Sequence, residues 1–152
     1  MAPVKQSLVA DCSVIVKWKL QQEPQAQEAK EVLLDWQAQA VQLHAPSLLS
    51  AEIMSALLRA FRQRRVTEPD AIDAIRDLLS FPFVLWEMKS SLVLRAFEIA
   101  KRFNQRSYDC IYTALAEQES VDFWTGDQRL FNALHQHFSF VHWIGDYLKK
   151  RP

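Results

Sequence analysis

An α/β fold on a mainly parallel sheet is what this 152-residue chain predicts, and three features predict it. Short apolar runs alternate with longer segments of helical period, the pattern of a sheet covered by helices on both faces. Acidic or hydroxyl side chains stand where strands give way to helices. Finally, 49% of the residues are hydrophobic, there are only two glycines, and no repeat, linker or low-complexity tract interrupts the chain. One domain spanning residues 1–152 with a full core is therefore expected.

Leu8-Val9-Ala10 reads as a short buried strand, after which Asp11-Cys12-Ser13 opens a helical turn carrying Val14, Ile15 and Trp18. Gln22-Glu23-Pro24 breaks the chain. Gln25 to Gln39 then forms an amphipathic helix with Ala29, Val32, Leu33 and Trp36 inward. Val41 to Ala45 alternates like a strand and stops at Pro46. Ser47 is the expected N-cap of a helix reaching about Arg64, with Leu49, Ile53, Ala56, Leu57, Ala60 and Phe61 as its apolar stripe and Glu52 in its second turn. Thr67 caps the next helix, whose first turn holds Glu68, Pro69 and Asp70 as the helix dipole favours, and which ends near Ser80. Phe83 to Trp86 is a third strand. Ser90 to Phe103 is a helix stopped by Asn104, and Ser107 caps another over Tyr108 to Gln118. Val121 to Thr125 is a strand, Gly126 a turn, Asp127 to His135 a helix and Phe138 to Trp143 the last strand. The basic tail Lys149-Lys150-Arg151 is expected to fray.

Composition narrows the classes of function. Eighteen basic and eighteen acidic residues give zero formal net charge, so a nucleic-acid partner has to be held by local basic patches. The two cysteines, Cys12 and Cys110, form neither a disulfide framework nor a zinc site and suit core positions in a reducing cytosol. Met1 to Ser7 is polar, without the pattern of a signal peptide, and no stretch nears the roughly 18 apolar residues of a membrane span. A cytoplasmic protein is expected.

The residues most informative about chemistry are Asp11, Glu52, Asp109 and Asp127. In open α/β sheets ligands bind beyond the carboxyl ends of the strands. Asp11 and Asp127 each follow a short apolar strand, Glu52 shares a helix side with Leu49, Ile53 and Ala56, and Asp109 lies in the first turn after Ser107. Taken singly, each has an ordinary reading as a helix cap, a dipole partner or a solvated acid. Together they predict one pocket of carboxylates. Two carboxylates about 4 Å apart repel by about 4 kcal/mol at an effective dielectric of 20, so such a pocket calls for protonation or a cation. Oxygen ligands without a neighbouring His or Cys select Mg²⁺ or Mn²⁺ over zinc, and metal-activated water suits phosphodiester hydrolysis.

Four runs carry a resemblance: Val9-Ala10-Asp11-Cys12-Ser13-Val14, Ala51-Glu52-Ile53, Tyr108-Asp109-Cys110-Ile111-Tyr112-Thr113-Ala114-Leu115-Ala116-Glu117, and Trp124-Thr125-Gly126-Asp127-Gln128-Arg129-Leu130. In order and spacing they resemble the motifs of PIN-domain nucleases, above all the VapC-type toxins of bacterial toxin–antitoxin pairs. The resemblance covers nearly the whole chain and is most specific in the third and fourth runs. It implies a PIN-like three-layer α/β/α fold and a Mg²⁺- or Mn²⁺-dependent endoribonuclease with a cognate antitoxin. By motif matching, Asp11, Glu52, Asp109 and Asp127 would be the catalytic, metal-holding quartet, with the Ser13 and Thr125 hydroxyls bracing the carboxylates. Where the family often has Asn, three residues after the helix glutamate, this chain has Ser55.

Two basic clusters are candidate RNA tracks: Arg59, Arg62, Arg64 and Arg65 along one helix end, and Lys101, Arg102 and Arg106 near another. Either could equally be a solvated face complementing a helix dipole. The histidines form no triad or zinc motif. The Phe81-Pro82-Phe83 corner and the apolar faces of the Gln25–Gln39 and Thr67–Ser80 helices are candidate surfaces for a homodimer or an antitoxin segment. Among competing readings, an aspartate-based phosphatase needs a second Asp where Ser13 stands, and a phosphoacceptor receiver needs an adjacent acidic pair. A non-catalytic PIN-like module binding RNA or protein would require the pocket's acids to have been lost.

Overall fold

The run Leu8-Val9-Ala10 has no polar side chain to solvate, and it forms the fully buried end of the central strand. The structure, a computed structural model, describes residues 5–151. Its strands are β1 (Gln6–Ala10), β2 (Val41–Pro46), β3 (Val84–Trp86), β4 (Asp122–Thr125) and β5 (Val141–Trp143). Among the described residues they make one sheet in the order β3-β2-β1-β4-β5, every neighbouring pair parallel. The chain builds outward from β1 through β2 to β3, then returns to place β4 on the other side of β1. The reversal of strand order thus falls between β1 and β4, where an α/β sheet opens a crevice at its carboxyl edge.

Helices cover the sheet, giving the expected three-layer architecture. They are α1 (Cys12–Ile15), α2 (Ala26–Gln37), α3 (Leu49–Arg62), α4 (Glu68–Ser80), α5 (Ser90–Phe103), α6 (Ser107–Glu119), α7 (Gln128–Leu134) and α8 (Tyr147–Lys150). The α6 helix lies on β1, β2 and β4 and is buried on nearly all sides from Cys110 to Ala116. The α5 helix packs on α6, and α3 with α4 forms a hairpin. Thr67 caps α4 by accepting from the Asp70 N–H at 3.3 Å, and Asn104 ends α5 in the left-handed region at φ 51°, both as the sequence implied.

Several expectations are corrected. Ser47 is not an N-cap: its N–H is taken by the Trp86 carbonyl at 2.8 Å, which keeps it with the sheet, and α3 starts after Leu48 without a side-chain cap. Glu52 therefore lies in the first turn of α3. Ser107 is the first helical residue of α6, behind an extended Arg106, and caps nothing. Strand β2 continues through Pro46, which pairs with Trp86. The last strand loses Phe138 to Phe140, because the Val141 N–H bonds back to the Phe138 carbonyl at 3.0 Å and makes a turn there.

The tail does not fray at Lys149 and Lys150, which close α8. Tyr147 is fully buried and donates to Asp35 at 2.7 Å, while Arg151 pairs with Asp35 at 3.2 Å and Glu31 at 3.3 Å. The Phe81–Phe83 corner is not a free surface either: both rings pack against Trp18 and Trp36, with centroids 5.0–6.2 Å apart. Exposed apolar side chains concentrate instead on α3 (Met54, Leu58, Phe61), α4 (Ile72, Leu79) and α5 (Val93, Leu94, Phe97). Among the described residues no helix is long and apolar enough to cross a membrane.

Candidate active site

The carboxyl ends of β1 and β4 deliver Asp11 and Asp127 to the crevice, each at the cap of the helix that follows. Asp11 caps α1 through Oδ1, which accepts from the Val14 N–H at 3.3 Å. Asp127 caps α7 through Oδ1, which accepts from the Arg129 and Leu130 N–H groups at 3.0 and 3.2 Å. The ordinary cap reading is thus true of both, but it does not account for Asp11. A cap carboxylate is normally solvated, whereas Asp11 is 3% exposed.

Two hydroxyls hold it. Ser13 Oγ donates to Asp11 Oδ1 and accepts from the Gly126 N–H at 2.8 Å. Thr125 Oγ1 donates to Asp11 Oδ2 at 2.5 Å and accepts from the Asp127 N–H at 3.0 Å. Each hydroxyl uses donor and acceptor at once, tying the end of β1 to the end of β4. Gly126 is required by this close approach, since a Cβ there would stand 2.9 Å from Ser13 Oγ and 3.0 Å from Lys17 Cε. Gly126→Ala is expected to cost about 1–3 kcal/mol in urea unfolding, an overpacking loss. In a Ser13→Ala background, with the closest atom gone, the loss should be smaller; equal losses in both backgrounds would show that the Ser13 contact is not the cause.

Glu52 reaches the crevice from α3, whose Leu49, Ile53, Leu57 and Ala60 are buried and fix the helix rotation. Its Oε1 is buried beside the Tyr112 hydroxyl of α6, close enough for the hydroxyl to lower the Glu52 carboxyl but outside good hydrogen-bond geometry. Asp109 enters from the first turn of α6, where the helix dipole favours an anion. All four acids, with Cys12, Ser55 and Tyr108, line one cleft of about 600 Å³.

The acids also act on one another electrostatically. Burial drives Asp11 from 3.8 up to about 6, against the lowering effect of its three hydrogen bonds, with the Glu52 charge adding to the rise. Burial and then the charges of Asp11 and Asp127 push Asp109 to about 6. Glu52 is raised by burial and by Asp109. Burial also raises both thiols, Cys110 to about 11 and Cys12 further, so neither is a thiolate nucleophile at neutral pH.

Among the described residues no histidine lines the cleft. His44 Nδ1 accepts from Trp86 Nε1 at 2.9 Å, and His142 pairs with Asp122 at 3.0 Å. Among the described residues no three Asp, Glu, His or Cys side chains are gathered tightly enough to ligate one ion together. A hydrated divalent cation held by one or two carboxylates fits the carboxylate oxygens that line the cleft.

The cleft takes only part of the two basic clusters that the sequence put forward. Arg65 lines it; Arg62, Arg64, Lys101 and Arg102 do not. Lys101 and Arg102 lie over the Phe97 and Phe103 rings at 5.9 and 5.0 Å. Arg59, Arg106 and Lys17 are the other cations of the cleft. The place of Lys17 in the site had no local signal in the sequence.

The PIN domain family model matches residues 8–134. The chain belongs to the PIN-domain family. No curated protein matches it by sequence. Similar solved structures include PAE2754 from Pyrobaculum aerophilum, at 16% identity and TM-score 0.66, covering 96% of each chain. VapC20 of Mycobacterium tuberculosis, described as a sarcin–ricin-loop-cleaving toxin, aligns at 16% identity and TM-score 0.59 over 78% of this chain and 87% of that one. A toxin–antitoxin complex from Klebsiella pneumoniae aligns at 15% identity and TM-score 0.59, covering 89% and 95%. These likenesses share the PIN fold.

Proposed function

We propose that this PIN-domain protein is a Mg²⁺- or Mn²⁺-dependent endoribonuclease, acting in the cytoplasm as the toxin of a toxin–antitoxin pair. The observation that carries the reading is the cleft itself. Four carboxylates from β1, α3, α6 and the β4–α7 junction line it, and three are held above their ordinary ionisation range by burial and by one another. Asp11, Glu52, Asp109 and Asp127 would share the ion, one or two of them directly and the others through its water shell. When bound, it supplies positive charge against the phosphodiester and acidifies water at neutral pH.

The chain's own residues do the remaining work. Ser13 and Thr125 fix the Asp11 carboxylate, so its position costs no reorganisation during reaction. Arg59, Arg65 and Arg106 supply positive charge at the cleft for the flanking phosphates. The toxin assignment draws on VapC20 and the Klebsiella complex as relatives in fold. The exposed apolar faces of α3–α4 and α5 are the surfaces available to an antitoxin segment and to a second copy of the chain.

The test is cleavage of total RNA by the purified protein with Mg²⁺ or Mn²⁺ and with EDTA. Discrete cleavage that EDTA abolishes is expected. RNA binding with no cleavage under either metal would replace this reading with that of a non-catalytic PIN-like module.

A further inference from the structure

Among the described residues Lys17 is the one lysine of the acidic cleft, and its side chain is enclosed, only 7% exposed. The three arginines of the cleft are exposed by contrast. A lysine commonly buries its stem along apolar surface while its head reaches water or an acid. Here the ion-pair partner is Glu23, with Nζ 3.6 Å from Oε2, beyond hydrogen-bond reach. The other oxygen of Glu23 holds Arg65 at 2.8 Å. The cleft carboxylates do not take up the ammonium either. The main influences on Asp11 and Asp109 are burial, hydrogen bonds, the other acids, Arg106 and Arg129.

An ammonium has three N–H donors and no acceptor function. That of Lys17 makes no hydrogen bond among the described residues, yet its position is fixed, with Cε packed against the Gly126 backbone next to Asp127. With its stem packed and its head open to the cleft, this ammonium has no protein acceptor for its three donors and is placed to take an anionic ligand there in exchange for water. A metal ion, being positive, is not such a ligand.

We propose that Lys17 is the phosphate-binding residue of the cleft. Its ammonium takes a non-bridging oxygen of an RNA phosphodiester lying against the carboxylates, and the Glu23–Arg65 pair holds the lysine's head in place without saturating it. The inference rests on the ribonuclease reading above and adds to it a specific substrate contact.

The test measures binding of a short fluorescein-labelled single-stranded RNA of mixed sequence, with Mg²⁺ present and over a range of KCl concentrations. The parent protein carries Asp109→Asn so that the RNA stays intact. Adding Lys17→Met should weaken binding about tenfold and make the dependence of log affinity on log salt shallower by about 0.7, the signature of one lost phosphate contact on a single strand. Glu23→Gln should leave that slope unchanged, because it removes the tether and not the contact. A Lys17→Met protein with the parent's slope overturns the proposal, and so does a Glu23→Gln protein that reproduces the full effect. If the parent binds no RNA, the ribonuclease reading falls and this inference with it; if the parent binds and only the Lys17 comparison fails, that reading stands. Lys17→Gln is measured in parallel, and circular dichroism checks that both variants are folded. In the folded parent, bound RNA should also protect Lys17 from acetylation, and equal modification with and without RNA overturns the proposal whatever the variants do.

Discussion

Asp109→Asn is expected to abolish metal-dependent RNA cleavage while leaving the fold intact. The substitution keeps the side chain's shape and removes one charge from a site where Asp109 feels both Asp11 and Asp127. A cation at such a site supplies several kcal/mol of stabilisation to developing negative charge, and each 1.36 kcal/mol is tenfold in rate. A loss of at least about a thousandfold follows if that stabilisation disappears. The fold should not suffer, because the native state loses a repulsion and no hydrogen bond. The side-chain oxygens of Asp109 hold up no neighbour among the described residues, and its backbone carbonyl, which accepts from the Thr113 hydroxyl, is unchanged. Expression of the wild-type protein should arrest growth, and Asp109→Asn should relieve the arrest. Full-rate cleavage by a folded Asp109→Asn protein, or equal arrest by both forms, would sink the assignment.

How much of this was legible in the sequence depends on the range of the interactions involved. Asp11, Asp109 and Asp127 could be placed because their positions follow from local signals: a short apolar strand, a helix start, a glycine turn. Thr67 and Asn104 were legible for the same reason, since capping is settled within four residues. Ser47 was misread because a partner from β3, the Trp86 carbonyl, claims its N–H. The tail was misread because Tyr147 is anchored by Asp35, 112 residues earlier. Phe138 alternates with its neighbours like a strand residue, yet it packs on Phe103 with ring centroids 5.6 Å apart and turns the chain.

The site shows the same division. Motif order brought out the four acids and their two hydroxyl braces, but which cations face them is decided by tertiary packing. Arg62 and Arg65 are three residues apart, and only Arg65 meets Glu23 and the cleft. Burial of a lysine is rare enough that pattern reading alone points away from Lys17. The sequence therefore brought forward the acids and, within its two basic clusters, Arg59, Arg65 and Arg106, while the fold selected which of those cations line the cleft and added Lys17.

The metal-free protein is expected to lose stability as pH rises from about 4 to 7, and Mg²⁺ should restore it at the upper end. Asp11 sets the sign. Its carboxyl titrates near 6 in the fold, against an ordinary value of 3.8 for the solvated side chain of the unfolded chain. Below both values each state is protonated, and burial of Asp11 carries no charge penalty. Between them the unfolded chain has released its proton while the native state retains it, so the native state binds more protons and stability falls with rising pH. Above about 6 the penalty is complete, equivalent to roughly 3 kcal/mol for this one group. Asp109, also near 6, acts in the same direction. A divalent cation binds the ionised form and reverses the effect, with stabilisation growing as the free ion exceeds its dissociation constant. Urea unfolding in EDTA at pH 5 and pH 8, repeated at pH 8 with excess Mg²⁺, measures all three states. Asp11→Asn should flatten the pH dependence and reduce the gain from Mg²⁺. A metal-free protein more stable at pH 8 than at pH 5, or a Mg²⁺ gain undiminished in Asp11→Asn, would show that Asp11 is not the strained carboxylate around which the cleft is organised.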